Sequence, residues 1–262
     1  MNGTVALQTV DEDTRDLAMP PIRLEGVTKA FDGRVVLDDV SFDVTAGTAF
    51  CLLGRSGTGK SVTLKHIIGL IQADAGRVLV HGEDMAQLPA RELARVRRRM
   101  GFLFQNAALF DSISVGENVA FPLRRHTDWS EARIHEVTLR KLTDVGLERD
   151  SRKMPSDLSG GMRKRAGLAR AMALDPDILL VDEPSAGLDP ITAGEIDALL
   201  VELKRGGTTL VVVTHNIPSA RQIGDTLAML HEGRIVASGT AAELERSDKE
   251  LVRTFMRSEG SG

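Results

Sequence analysis

The stretch Gly54-Arg55-Ser56-Gly57-Thr58-Gly59-Lys60-Ser61 constrains this chain more than any other. It follows the apolar run Ala49-Phe50-Cys51-Leu52-Leu53 and leads through Val62 into Thr63-Leu64-Lys65-His66-Ile67-Ile68, so it reads as strand, glycine loop, helix. In that context the pattern G-x-x-x-x-G-K-[ST] binds phosphate. Its glycines let consecutive backbone N–H groups turn inward around an anion, and the helix start adds unsatisfied donors and a positive dipole end. Lys60 can reach the outer phosphates of a nucleotide, and the Ser61 hydroxyl can ligate Mg²⁺. A mere turn has no use for Lys and Ser directly after its last glycine.

With 262 residues, the chain has room for one large α/β domain. A net charge of −4 leaves no polyanion-binding footprint, so nucleic acid is not expected as a partner. The single cysteine, Cys51, lies inside the apolar strand before the loop. A disulfide within the chain is impossible, and a reducing, cytosolic setting is expected. No apolar run approaches the roughly 18 to 20 residues of a membrane span, and the N-terminus has neither a basic nor an apolar leader region. The expectation is a chain that neither crosses a membrane nor is secreted.

Residues 1 to 20 are polar, acidic around Asp11-Glu12-Asp13, and read as a disordered lead-in to a domain over 21 to 257. Alternation over Ile22–Val27, the turn at Asp32-Gly33, and the apolar pieces Val35–Leu37, Val40–Val44 and Gly76–Val80 predict a small antiparallel sheet beside the loop. Phe31, at a strand end before a turn, suits either a core or a flat apolar partner for an adenine ring. From about Arg91 to Arg165 the pattern turns helical, interrupted by a short strand at Met100–Phe104 that ends at Gln105. Arg95, Arg97, Arg98 and Arg99 read as a solvated basic face, with contact to a partner or to lipid headgroups as the alternative. Asn106 to Leu123 is loop-like and rich in exposed-looking apolar residues (Leu109, Phe110, Ile113, Val115, Phe121), which suits core packing for some of them and, with so many together, a protein contact surface. Asp128 with Glu131 reads as the capping box of the next helix, whose apolar face is Ile134, Val137, Leu142 and Val145. The second half alternates strand and helix: Ile178–Val181 and Thr209–Thr214 are buried strands, Asp189-Pro190 caps a helix, and residues 227–230 with 234–237 form a hairpin. The tail, 258 to 262, is Gly/Ser-rich and expected to fray.

Two further features carry chemistry. The strand at 178–181 delivers Asp182 and Glu183 at its C-terminal end, where ligands bind in open parallel sheets. There Asp182 can hold Mg²⁺ through its water shell, and Glu183 can orient and deprotonate a water that attacks the terminal phosphate. Leu158-Ser159-Gly160-Gly161-Met162 opens a second helix with a second anion-binding N-terminus.

Taken in order, these elements make residues 22 to 238 resemble an ATP-binding-cassette (ABC) ATPase. The match comprises the phosphate loop, Gln105 at the Q-loop, Leu158–Met162 as the signature, and the strand ending in Asp182-Glu183. It continues with the loop Ser185-Ala186-Gly187-Leu188-Asp189 and with His215 as the switch histidine. The resemblance implies a P-loop NTPase fold with a mostly parallel core sheet, a small antiparallel β-subdomain and a helical subdomain. By it, Phe31 stacks on adenine, Gln105 ligates Mg²⁺ and senses a permease, and His215 contacts the γ-phosphate. ATP is then held by residues 54 to 62 of one chain and by Ser159, Gly160, Gly161 and Asp189 of a second copy in a head-to-tail dimer.

Met162, Gly187 and Asn216 depart from the common ABC pattern, which has Gln, Ala and Asp there. Together with Gln105–Ser112, Gly161–Ala166 and Leu188–Thr192 they resemble the ATPases of Mla/Mce-type phospholipid transporters. That resemblance implies a peripheral subunit at the cytoplasmic face of the inner membrane, working with an integral-membrane permease and an Mce-domain substrate-binding protein, and not itself binding lipid. An amino-acid importer ATPase and a soluble ABC protein acting on ribosomes or DNA are the alternative readings. The second of these commonly has tandem cassettes or a long coiled coil, and this chain shows neither.

Overall fold

The computed structural model describes residues 19–258. The expected lead-in lies outside them except for Met19 and Pro20, and so does the tail except for Ser258.

β1 (Ile22–Phe31) pairs antiparallel with β2 (Arg34–Val44) across Asp32-Gly33, both residues at positive φ. Where the sequence suggests separate strands at 35–37 and 40–44, one strand continues, because Asp39 takes a φ of 55° and absorbs the register shift as a bulge. β3 (Ala49–Leu53) enters the phosphate loop and α1 (Lys60–Ile67) leaves it. β4 (Ala75–Val80) and β5 (Glu83–Asp84) complete a four-stranded sheet of order β2-β1-β4-β5.

After α2 (Ala90–Arg97), β6 (Met100–Leu103) leads into α3 (Val115–His126), α4 (Glu131–Asp144) and α5 (Gly160–Ala171). β7 (Ile178–Asp182), α6 (Pro190–Arg205), β8 (Thr209–Thr214), α7 (Ile217–Ile223), β9 (Thr226–His231) and β10 (Arg234–Gly239) follow, then α8 (Ala241–Glu245) and α9 (Glu250–Arg257). The second sheet has the order β10-β9-β3-β8-β7-β6, parallel from β9 to β6 with β10 antiparallel at one edge.

β3 is buried on both faces, and alternation sorts its side chains into two cores. Phe50 and Leu52 join Leu24, Leu37 and Val40 between the sheets, whereas Ala49, Cys51 and Leu53 join the helical side with Val119, Leu168 and Ile223. Cys51 is a core residue, its thiol pushed up to about 12 by burial.

Three readings of the helical region need correction. α4 is capped by Ser130, which accepts from Arg133 N–H, and not by Asp128. The stretch expected to be loop from 106 to 123 becomes helix at Val115, opened by a capping box of Ser114 and Glu117 that the S-x-x-E spacing encodes. Val115 is therefore core, while Phe110 and Phe121 are exposed at 45% and 47%. The basic cluster is not simply solvated: Arg95 pairs with Glu83 and Glu92, Arg97 donates to the Ile68 and Gly69 carbonyls, and Arg99 pairs with Asp177.

Phe50 is 2% exposed and stacks on Phe42 with ring centroids 4.4 Å apart. Phe50→Ala is expected to destabilise the chain by about 3–5 kcal/mol in urea unfolding, because the sheets cannot close over a lost ring.

Candidate active site

Parallel register brings three strand ends together. Leu53 of β3 lies opposite Thr214 of β8, and Val213 of β8 lies opposite Asp182 of β7, so the phosphate loop, the Asp182-Glu183 pair and His215 share one edge of the sheet.

The loop turns at Gly57 and Gly59, with φ of 79° and 104°. A Cβ on Gly59 would stand 2.8 Å from Leu37 Cδ2 and 2.9 Å from the Val36 carbonyl, so glycine is required there for space as well as conformation. No side chain caps α1, which leaves the first-turn amides of Lys60, Ser61 and Val62 as donors facing the loop.

Lys60 is 5% exposed, and its ammonium donates to the Gly54 and Arg55 carbonyls at 2.9 and 3.2 Å. It also pairs with Glu183 Oε1 at 3.2 Å. The other oxygen, Oε2, accepts from His215 Nδ1 at 2.9 Å and from its backbone N–H at 3.3 Å. Glu183 has a φ of 45°, a strained conformation for a residue with a Cβ, and its N–H is tied to the Val213 carbonyl at 2.9 Å. Ser61 Oγ donates to Asp182 Oδ1 at 2.9 Å. Burial raises the Asp182 carboxyl above its ordinary range, and the Ser61 hydrogen bond opposes this.

This donor set fits Mg²⁺. Ser61 and Asp182 supply two hard oxygens side by side, and among the described residues no group of three or more His, Cys, Asp or Glu forms a complete protein cage. Mg²⁺ characteristically takes one or two protein oxygens and completes its shell with phosphate and water.

The remaining expected site residues lie apart from this cluster. Gln105 is exposed just beyond β6. Phe31 is 43% exposed with the Lys29 ammonium 5.5 Å from its ring centre, which settles its position as surface and not core. Ser159 caps α5 by accepting from Met162 N–H at 3.2 Å. Gly161 packs so closely on α6 that a Cβ would meet Thr192 Cγ2 at 2.2 Å. Asp189 caps α6, accepting from the Ile191 and Thr192 amides. Arg55 and Ser56 line a cavity of about 350 Å³ with His215, His231 and Phe255.

Sequence reasoning missed Lys164. In Arg163-Lys164-Arg165 it looks like one more surface cation, yet it is 5% exposed and donates to the Glu183 carbonyl at 2.9 Å. A larger cavity, about 560 Å³, opens away from the phosphate loop among Arg98, Phe102, Phe104, Phe110, Phe121 and Arg170.

With this geometry in place, comparison with known proteins is decisive: the family model described as ABC transporter matches residues 37–186. The chain belongs to the ABC transporter family. It is 44% identical over 236 residues to the "Probable ribonucleotide transport ATP-binding protein mkl" of Mycobacterium leprae, covering 90% of this chain and 68% of that protein. The chain spans about two thirds of the length of its mycobacterial relatives, 66% to 68%. It is 40% identical over 242 residues to the "Intermembrane phospholipid transport system ATP-binding protein MlaF" of Haemophilus influenzae, covering 92% of each. Among solved structures, a dimeric ATP-binding cassette in a post-hydrolysis state bound to ADP and Pi aligns with a TM-score of 0.77 at 32% identity, covering 84% of this chain and 98% of that one. This ABC chain is thus an ATP-binding subunit whose reaction is ATP hydrolysis, of a kind that acts as dimers with membrane permeases. Among the described residues no helix is long and apolar enough to cross a membrane.

Burial lowers the Lys164 ammonium from 10.5 to about 8, against the attraction of Asp182 and Glu183. The folded chain then binds fewer protons than the unfolded chain between these values, so this group penalises folding below pH 8 and the penalty is relieved as pH rises from 8 to 10.5. In nucleotide-free protein, the stability advantage of Lys164→Met over the native chain is expected to shrink across that window, as followed by urea unfolding at each pH.

Proposed function

We propose that this chain energises phospholipid movement in a bacterial envelope, binding and hydrolysing Mg²⁺-ATP at the cytoplasmic face of the inner membrane for a separate permease. What supports hydrolysis here is the convergence of Lys60, Ser61, Asp182, Glu183 and His215 at one sheet edge. The phospholipid assignment rests on the likeness to the Haemophilus influenzae protein, which runs over 92% of both chains.

Lys60 is the pivot of the mechanism. Its ammonium has a choice between Glu183 and the phosphates that the loop amides attract, and a phosphate of higher charge draws it away from the carboxylate. Glu183 Oε1 is thereby freed to take a proton from water, while Oε2 stays oriented by His215. Ser61 and Asp182, with Gln105 from the loop after β6, would hold Mg²⁺, which would supply charge neutralisation at the phosphate oxygens. Phe31 supports the adenine. Ser159, Gly160, Gly161 and Asp189 complete the site from a second copy, which is why they stand apart from the cluster within one chain.

The aromatic groove is proposed as the permease dock, and an Mce-domain protein as a further component of the assembly. Phe110 and Phe121 face each other with centroids 5.0 Å apart, and the Arg170 guanidinium lies 5.9 Å from the Phe110 ring centre. Arg170 also donates to the Ala107 and Ala108 carbonyls, so the groove wall is bonded to the loop that follows Gln105.

Glu183→Gln keeps the shape and hydrogen bonding but removes the base, and is expected to bind ATP while turnover falls by about 10²- to 10⁴-fold. Calorimetric ATP titration beside phosphate-release kinetics checks this, and turnover near the native rate would remove Glu183 from the role. Phe110→Ser is expected to leave ATP binding intact and to abolish co-purification with the permease. A reconstituted permease that moves ribonucleotides or amino acids, and not phospholipid, would overturn the cargo assignment.

A further inference from the structure

Behind the cluster at the sheet edge lies a second polar chain, buried and unused by the reaction as derived above. Asn216 follows His215, and Ser185 stands two residues after Glu183. Asn216 Nδ2 donates to Ser185 Oγ at 3.3 Å, the Ser185 and Ser219 hydroxyl oxygens are 3.4 Å apart, and Ser219 Oγ donates to Asp197 Oδ2 at 2.6 Å. Ser185, Ser219 and Asp197 are 6%, 2% and 3% exposed, so water does not substitute for these partners.

The direction of the chain follows from proton counting. Asn216 Oδ1 accepts from Ser219 N–H at 3.0 Å as the cap of α7, which leaves its amide nitrogen for Ser185. An ionised carboxylate only accepts, so the single Ser219 proton is committed to Asp197. The proton between the two hydroxyls is therefore that of Ser185. From amide donor to carboxylate acceptor, each link holds one proton. The long links both fall on Ser185, which begins the loop leading to the exposed Asp189.

We propose that Asn216 and Asp197 are positioning residues for ATP hydrolysis, the two ends of a directional hydrogen-bond chain that fixes the Glu183 loop against the His215 loop. The proposal rests on the reading of Glu183 as the base. Capping α7 does not require asparagine, since aspartate caps as well. Donating to Ser185 does. With aspartate at 216, Ser185 must turn its proton towards the new carboxylate, and two hydroxyl oxygens then face each other with no proton between them. Replacing Asp197 with asparagine as well reverses the whole chain: amide 197 donates to Ser219, Ser219 to Ser185, and Ser185 to carboxylate 216.

The test is ATP hydrolysis by the full-length chain assembled with its membrane partner, with kcat and KM measured for Asn216→Asp, Asp197→Asn and the double variant, and thermal unfolding as a check on folding. Asn216→Asp is expected to lower kcat about tenfold with KM within about twofold, because the phosphate loop is untouched. Asp197→Asn should lose about two- to threefold, since its amide oxygen still accepts from Ser219. The double variant should recover to within about threefold of native kcat, a rescue that capping or simple packing cannot produce. If Asn216→Asp does not fold, Ser185→Ala removes the middle hydroxyl and should give the same selective loss in kcat. Glu183→Gln is measured alongside, and its turnover at the native rate would overturn the base assignment itself. With Glu183→Gln inactive, an Asn216→Asp kcat within about twofold of native overturns the positioning proposal alone, as does a double variant that falls by the product of the single losses.

Discussion

One buried ammonium organises the site. Lys60 is 5% exposed, and removing an unpaired charge from water to that depth would cost several kcal/mol, so its partners are obligatory. Two loop carbonyls and Glu183 supply them. The same arrangement makes the ion pair exchangeable, because the loop that presents those carbonyls also presents amides to an anion. A phosphate bound there would compete with Glu183 for one cation, and in the proposed mechanism the carboxylate that loses is the base. Glu183 is held for that moment by bonds on every side: its amide to Val213, its carbonyl to Lys164 and its carboxylate to His215. These bonds are what maintain a φ of 45°.

The sheet makes that convergence possible. β3 can run through the centre, between β8 and β9, only because both of its faces find apolar partners. Its odd-numbered residues meet the helices, and its even-numbered residues meet the antiparallel sheet. A polar residue in Ala49–Leu53 would have no solvent face to turn to. The loop's position is therefore fixed by packing before any ligand arrives.

What the sequence discloses depends on how local the signal is. The phosphate loop, the apolar strands and the Asp189-Pro190 cap are legible because the residues that make them are neighbours. The capping box at Ser114 and Glu117 is equally local, but the apolar residues around it suggest a contact surface, and one of the five, Val115, is core with Leu109 partly buried against it. Ser130 supplanted Asp128 because only Ser130 stands next to the first helical residue with its hydroxyl over the Arg133 amide. Lys164 and Asp197 were illegible for a different reason. Lys164 sits in a basic run and Asp197 between Ile196 and Ala198, and each meets its partner 19 or 22 positions away in sequence. Burial of a charge is decided by what another element packs over it, and no spacing rule carries that information.

The helix α5 shows what such long-range contacts add up to. Ser159 caps its first turn, Lys164 in its middle reaches the Glu183 carbonyl, and Arg170 near its end holds the Ala107 and Ala108 carbonyls beside the aromatic groove. At 1.5 Å per residue, a helix of this length is about 18 Å of stiff backbone. Asn118 of α3 grips the other side of the groove, bonding both the amide and the carbonyl of Phe110. Ala107 and Ala108 have φ of 59° and 50°, so the loop after Gln105 is not slack chain but a shape maintained by those guanidinium bonds. A displacement of the groove wall must then either break one of these bonds or move α5 as a body. In the second case it reaches, through one rigid element, both the capped Ser-Gly-Gly turn and the backbone of Glu183.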